Sequence, residues 1–143
     1  MSEHNPVSNP AHYTVYPVQP IALTRHLGFC LGNAVKYVLR APYKGAPVED
    51  LNKALQYLEW EEETPSPSMT VSIYAEFEQD IEVLVHFLAG GGSVSSLNIP
   101  DRVAELQSDF LLILDRRVLG SKDSLVRPVR DLRNFYEVYK GDF

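Results

Sequence analysis

Apolar positions along this chain recur mostly at intervals of three and four residues. On a wheel of 3.6 residues per turn, Leu31, Ala34, Val35, Val38 and Leu39 share one side of the stretch from Phe29 to Arg40. Asn33, Lys36, Tyr37 and Arg40 share the other, with the spacing i, i+3, i+4, i+7. Pro42 stops that helix, and Tyr43-Lys44-Gly45-Ala46 connects it to a second one. Pro47 sits in the second helix's first turn, where Glu49 and Asp50 complement the positive end of the helix dipole. Leu51, Ala54, Leu55 and Leu58 form its apolar stripe, Asp50, Lys53 and Tyr57 its polar one, and the helix is expected to reach Glu62.

The same reading extends in both directions. Pro6, Pro10, Pro17 and Pro20 interrupt any periodicity before residue 20, which predicts an extended arm. A short helix is expected over Pro20–Leu27, ended by Gly28. Thr64-Pro65-Ser66-Pro67-Ser68 reads as a linker between a helical domain at 1–63 and a helical region at 69–143. Ile73, Phe77, Ile81, Leu84 and Leu88 share one face of a helix from Met69 to Leu88. A helix opening at Pro100 carries Val103, Leu106, Phe110, Ile113 and Leu114, with Gly120 as its stop. The last runs from about Ser124 to Lys140, with a start at Arg127 or later if Pro128 delays it. No segment sustains strand alternation. The predicted fold is all-α, a bundle of five or six helices behind a proline-rich arm.

Composition narrows the function classes. The chain has 143 residues, 45% hydrophobic and 22% charged, enough for a self-sufficient core. A net charge of −6 disfavours general nucleic-acid binding, so a local basic cluster points to a small anion instead. A single cysteine, Cys30, supplies neither a disulfide nor a cysteine zinc site and is expected as a buried, inert thiol. MSEHNPVSNP has neither the basic nor the apolar segment of a secretory signal, and no apolar run is long enough to span a bilayer. A cytoplasmic protein with no membrane partner is expected.

The cations Lys36, Arg40, Lys44 and Lys53 are the main chemical candidates. Lys36 and Arg40 lie one turn apart and repel unless an anion bridges them; Arg offers a planar fork and Lys a mobile point charge for phosphate oxygens. Asn33 and Tyr37 lie on the same stripe, positioned to read a base or sugar. Asp50 is placed to bind a ribose hydroxyl, orient a lysine or hold Mg²⁺. His12 and Tyr13, in the arm, read either as an incidental pair or as a lid over a base.

Pro10-x-His12-Tyr13, Phe29-x-x-Gly32-Asn33-x-x-Lys36-Tyr37-x-x-Arg40-x-x-x-Lys44 and Glu49-Asp50-Leu51-x-Lys53-Ala54-x-x-Tyr57-Leu58 together resemble a small domain encoded mostly by bacteriophages. That family is catalogued as of unknown function, and one branch is described as nucleotide kinases that phosphorylate deoxynucleoside monophosphates without a classical phosphate loop. The resemblance covers residues 9–62. It implies a nucleotide ligand, ATP as phosphoryl donor, Mg²⁺, and catalytic roles for Lys36, Arg40 and Asp50. His12, Tyr13, Asn33, Tyr37, Lys44, Lys53 and Tyr57 would then bind the substrate. Phosphoryl transfer needs chiefly positioning and charge neutralisation, which such a cluster can supply.

Two other classes use the same residue types. A non-catalytic protein that sequesters or senses a nucleotide needs only the cation stripe. An all-α, Mg²⁺-dependent nucleotide pyrophosphatase would use carboxylates from paired helices, for which Glu59 and Glu62, then Glu76 and Asp80, have suitable spacing. His26 and His86 lack a second ligand one turn away. Gly90-Gly91-Gly92-Ser93 is no phosphate loop, since no strand precedes it and no Gly-Lys-Ser/Thr follows. Arg116, Arg117, Arg127, Arg130 and Arg133 are expected in surface ion pairs. Residues 69–143 are read as packing partner or assembly interface, and Tyr74, Phe87, Tyr136, Tyr139 and Phe143 point to a homo-oligomer.

Overall fold

Two helices joined by a short turn set the frame. The computed structural model describes residues 15–91 and 99–139 and contains six α-helices and no strand among them: α1 (Pro20–Thr24), α2 (Phe29–Arg40), α3 (Pro47–Glu63), α4 (Val71–His86), α5 (Asp101–Arg117) and α6 (Val126–Val138). The fold is all-α, as the periodicity predicts. Helices α2 and α3 run antiparallel and pack along Leu31, Ala34, Val35, Val38, Leu51, Ala54 and Leu58, all buried. Helix α6 lies against α3 and α5, α4 against α5, and α1 against α2 and α4. Leu23, Phe77, Phe110, Leu114, Val129 and Leu132 continue the same core. Burying one such side chain is worth about 1.5–3 kcal/mol.

The end of α2 is closed by distant residues. An α-helix leaves its last four carbonyls without intrahelical partners. Here the Tyr37 and Arg40 carbonyls accept from the Ala41 and Tyr43 amides, both at 3.1 Å. The Val38 carbonyl accepts from Gln107 Nε2 of α5 at 3.0 Å, and the Leu39 carbonyl accepts from the Tyr16 hydroxyl. Gln107 also donates to Tyr16 Oη at 3.2 Å, and burial drives the Tyr16 hydroxyl far above its ordinary pKa. Gly45, at φ +89°, then allows the connection to turn into α3.

The proline-rich stretch after α3 is tied to the fold. Glu61 is buried and accepts from the Ser66 amide at 2.7 Å and the Ser66 hydroxyl at 3.0 Å, while the Met69 amide donates to the Val118 carbonyl at 2.8 Å. A Cβ at residue 28 would come within 2.6 Å of Ser66 Oγ, so a side chain there would push the Ser66 hydroxyl from its bond to Glu61.

Several boundaries differ from expectation. Helix α1 ends at Thr24 and a turn continues to Leu27. Helix α4 starts at Val71; its regular part ends at His86, and Phe87–Gly91 form a wider turn containing Gly90 at φ +91°. Ile73, expected inside, is 38% exposed because the buried face begins with Phe77. Helix α6 starts at Val126, before Pro128, because a first-turn residue has no intrahelical use for its missing donor. Helix α5 ends where the Gly120 and Ser121 amides donate to the Arg117 and Arg116 carbonyls, Gly120 being at φ +108°. Cys30 is half-buried rather than buried.

Candidate functional site

The polar faces of α2 and α3 meet along one seam. At the end near the connecting loop, Arg40 Nε lies 3.3 Å from Asp50 Oδ2. Asp50 is buried. Its burial raises the carboxyl pKa, with Arg40 and then Lys53 pulling it back. Asp50 therefore anchors Arg40 from beneath. Both of its structural reasons agree, since its place in the first turn of α3 also favours an acid.

Tyr37 lies in the middle of the seam, and cations gather on its ring. Lys36 Nζ is 4.7 Å from the ring centroid, Arg40 Cζ 5.4 Å and Lys53 Nζ 5.5 Å. Lys53 also pairs with Glu49 at 3.3 Å. Lys36 has no ion pair among the described residues. Lys44 stands exposed on the connecting loop, outside these ring contacts. Asn33 donates its amide to the Phe29 carbonyl at 2.8 Å, which holds its donor on its own helix and leaves the side-chain oxygen as its outward group.

Beyond Tyr37 the seam is aromatic. Tyr57 lies nearly parallel to Tyr37, with centroids 6.1 Å apart and 13° between planes. Phe29 and Trp60 both meet Tyr57 edge to face, at 5.8 and 5.5 Å. These two rings were absent from the candidates read from the sequence, yet the stripes contain them. Phe29 precedes Asn33 and Tyr37 at four-residue steps, and Trp60 follows Tyr57 by three. Extending each stripe by one turn finds both.

Of the residues singled out, Lys36, Tyr37, Arg40, Asp50, Lys53 and Tyr57 thus share one seam. Asn33 lines a cleft with Thr24, Leu27 and Lys36 on the side of α2 toward α1, and His12 and Tyr13 lie outside the described residues. A cleft of about 700 Å³ lies beside the α2–α3 connection and is lined by Pro42, Tyr43, Val48, Glu49, Tyr136 and Glu137. The acidic candidates are dispersed. Glu59 and Glu62 are exposed, Glu76 pairs with Arg25 at 3.2 Å, and Asp80 carries a carboxyl pKa raised by burial and then by Glu76. No group of three or more His, Cys, Asp or Glu side chains among the described residues is placed to hold a metal. His26 lies 3.9 Å from Glu76. In the carboxy-terminal helices, Arg116 pairs with Asp123 and Arg133 with Glu137. Among the aromatics there, Tyr136 is buried, Tyr74 donates to Glu78 and Asp115, Phe87 packs on Tyr16, and Tyr139 is 46% exposed. No helix among the described residues is long and apolar enough to cross a membrane.

Residues 7–59 match a domain family described as a protein of unknown function, DUF3310. That span holds the whole of α2, most of α3 and every cation of the seam. Comparison with curated proteins and with solved structures finds no match.

Proposed function

We propose that the α2–α3 seam binds the phosphate of a nucleotide, and that its reaction is the one described for the kinase branch of the phage-encoded family it resembles: phosphoryl transfer from ATP to a deoxynucleoside monophosphate. The observation that supports this reading is the convergence of Lys36, Arg40 and Lys53 on the Tyr37 ring in a protein of net charge −6. Asp50 pairs with Arg40 and Glu49 with Lys53, which leaves Lys36 as the cation of the three with no acid beside it among the described residues. An anion seated there relieves the remaining positive charge. Lys36 supplies a point charge. Arg40, held at Nε by Asp50, offers its two Nη groups as a fork for phosphate oxygens. Lys53 shares its charge between Glu49 and the ligand, and Lys44, exposed on the connecting loop, adds positive charge nearby. Asp50 is a positioning residue, since it is buried and acts through Arg40. Mg²⁺ enters with ATP, whose phosphate oxygens suit it as ligands.

Titration calorimetry with deoxynucleoside monophosphates tests the binding. Lys36→Ala is the clean variant, because Lys36 holds no buried partner, whereas removing Arg40 also leaves Asp50 without its counterion. Affinity is expected to fall about tenfold or more, the range of a charge-assisted phosphate contact, with the helical circular dichroism unchanged. Undiminished binding refutes the phosphate site. Incubation with Mg²⁺ and ATP tests the transfer: diphosphate product supports the kinase, and tight binding without product makes the protein a nucleotide binder.

A further inference from the structure

Phe29 is 75% exposed and Trp60 47% exposed, although each belongs to an amphipathic helix whose other apolar residues are buried or partly buried. Between them opens a cleft of about 360 Å³, with Cys30, Glu63 and Thr64 also on its walls. This falls in the lower part of the range of small-ligand cavities, roughly 300–1,000 Å³. Tyr57 forms the bridge from this cleft to the cation-bearing Tyr37, through ring contacts of 5.5–6.1 Å. We infer that the cleft between Phe29 and Trp60 is the base subsite of the seam, in which the heterocycle of the bound nucleotide stacks on these two rings.

Charge decides the direction of the ligand along the seam. The cleft carries Glu61 and Glu63 at its walls, and both Glu61 oxygens are occupied by Ser66. An acidic, aromatic-walled cleft repels phosphate and accepts a flat neutral ring. The opposite end, with Lys36, Arg40 and Lys53, attracts phosphate, and its ring, Tyr37, is more buried than Phe29 among the described residues. A nucleotide has both chemistries on one small molecule, separated by a sugar. Base stacking on aromatic side chains is tolerant of base identity, so the cleft by itself sets the class of ligand rather than one base. This inference rests on the phosphate reading of the same seam, and deepens it.

Trp60 is the only tryptophan of the chain, so its fluorescence reports on the cleft. The full-length protein is titrated with a deoxynucleoside monophosphate and with deoxyribose 5-phosphate, the base-free probe, and affinity is followed in parallel by calorimetry. The nucleotide is expected to quench or shift Trp60 emission, and the sugar phosphate to bind without doing so. Phe29→Ala, at an exposed position, is expected to weaken nucleotide binding about tenfold, within the range for one stacked base, and to leave the sugar phosphate unaffected. Lys36→Ala weakens both. Trp60→Phe keeps a ring in place and retains most of the nucleotide affinity. If the nucleotide binds while Trp60 emission and the Phe29→Ala affinity stay unchanged, the base lies elsewhere and only the phosphate site survives. If neither probe binds, both readings fall. An emission change that follows protein concentration instead of ligand assigns the cleft to a second copy of the chain and overturns the inference.

Discussion

Gln107 and Lys36 are both polar side chains on amphipathic helices, and the fold treats them in opposite ways. Gln107 is sealed from solvent and donates to the Val38 carbonyl and the Tyr16 hydroxyl, where it helps close the end of α2. Lys36 lies at the surface of the same helix's other face, over the Tyr37 ring, with no ion pair among the described residues. The first junction is closed by α5 and the segment before α1. The second is a cluster of three cations in which Asp50 and Glu49 pair with Arg40 and Lys53 and leave Lys36 without an acid among the described residues. A buried polar atom must find a partner or cost about 1–3 kcal/mol, so its partners describe how the fold is assembled. A partly exposed cation is under no such constraint. Water satisfies it, so its clustering with Arg40 and Lys53 on one ring, not its lack of an acid, is what bears on ligands.

The contrast predicts a graded series of effects. The largest belongs to the core that both regions share: Phe110→Ala should lower unfolding free energy by about 3–5 kcal/mol in urea titration, with the m-value unchanged. An effect below about 1 kcal/mol would mean that the α5 core packs loosely. Gln107→Ala comes next. It leaves the Val38 carbonyl without its donor and should cost about 1–3 kcal/mol, with Tyr16→Phe costing about 1 kcal/mol at the same junction. Nucleotide affinity of the folded fraction should not change in either variant, and a loss of binding comparable to that of Lys36→Ala would dissolve the distinction between the two regions.

Asp50 joins the regions, and its effect is a matter of pH. Burial holds its carboxyl above the ordinary 3.8, so the folded chain keeps a proton that the unfolded chain has released. The folded state binds more protons in that window, and stability falls as pH rises through it. Asp50→Asn cannot titrate. Wild-type stability minus variant stability should therefore decline from pH 3.8 upward and level off above the raised value, as read by chemical denaturation across the acid range. Asp80 and Asp115, also raised by burial, contribute the same slope to both proteins and cancel in the difference. A difference that grows with pH would mean that the Arg40 pair outweighs burial. The smallest stability effect is expected at the seam itself: Lys36→Ala should stay within about 0.5 kcal/mol, even as it abolishes most phosphate affinity.

Much of the fold is legible from local rules. Pro20 and Pro47 open helices, Pro42 closes one, and Gly45 and Gly120 take left-handed turns, because these residues have few conformational alternatives. The α2 and α3 stripes are legible for the same reason: a period of 3.6 places Lys36, Tyr37 and Arg40 on one face whatever that face meets. Less legible were the aromatic neighbours. Phe29 and Trp60 continue the polar stripes by one turn, a position that spacing gives, but their exposure and their contacts with Tyr57 come only from the packing of α3 on α2. Gln107 gave no signal, since nothing in the spacing of α5 distinguishes a polar residue facing solvent from one facing another helix's carbonyls.

By itself the sequence determined that the chain is helical, which stretches form its helices to within a few residues, and which cations share a stripe. These are near-neighbour properties, set by backbone preference and by the repeat of one helix. Tertiary structure alone decided that Asp50 sits under Arg40, that Lys53 of α3 reaches the Tyr37 ring of α2, and that Tyr57 links that ring to Phe29 and Trp60. Each depends on the rotation and offset of α3 against α2, which the packing of Ala34, Val38, Leu51 and Ala54 settles across the interface. A helical wheel contains no information about that offset, because it describes one helix with its partner removed.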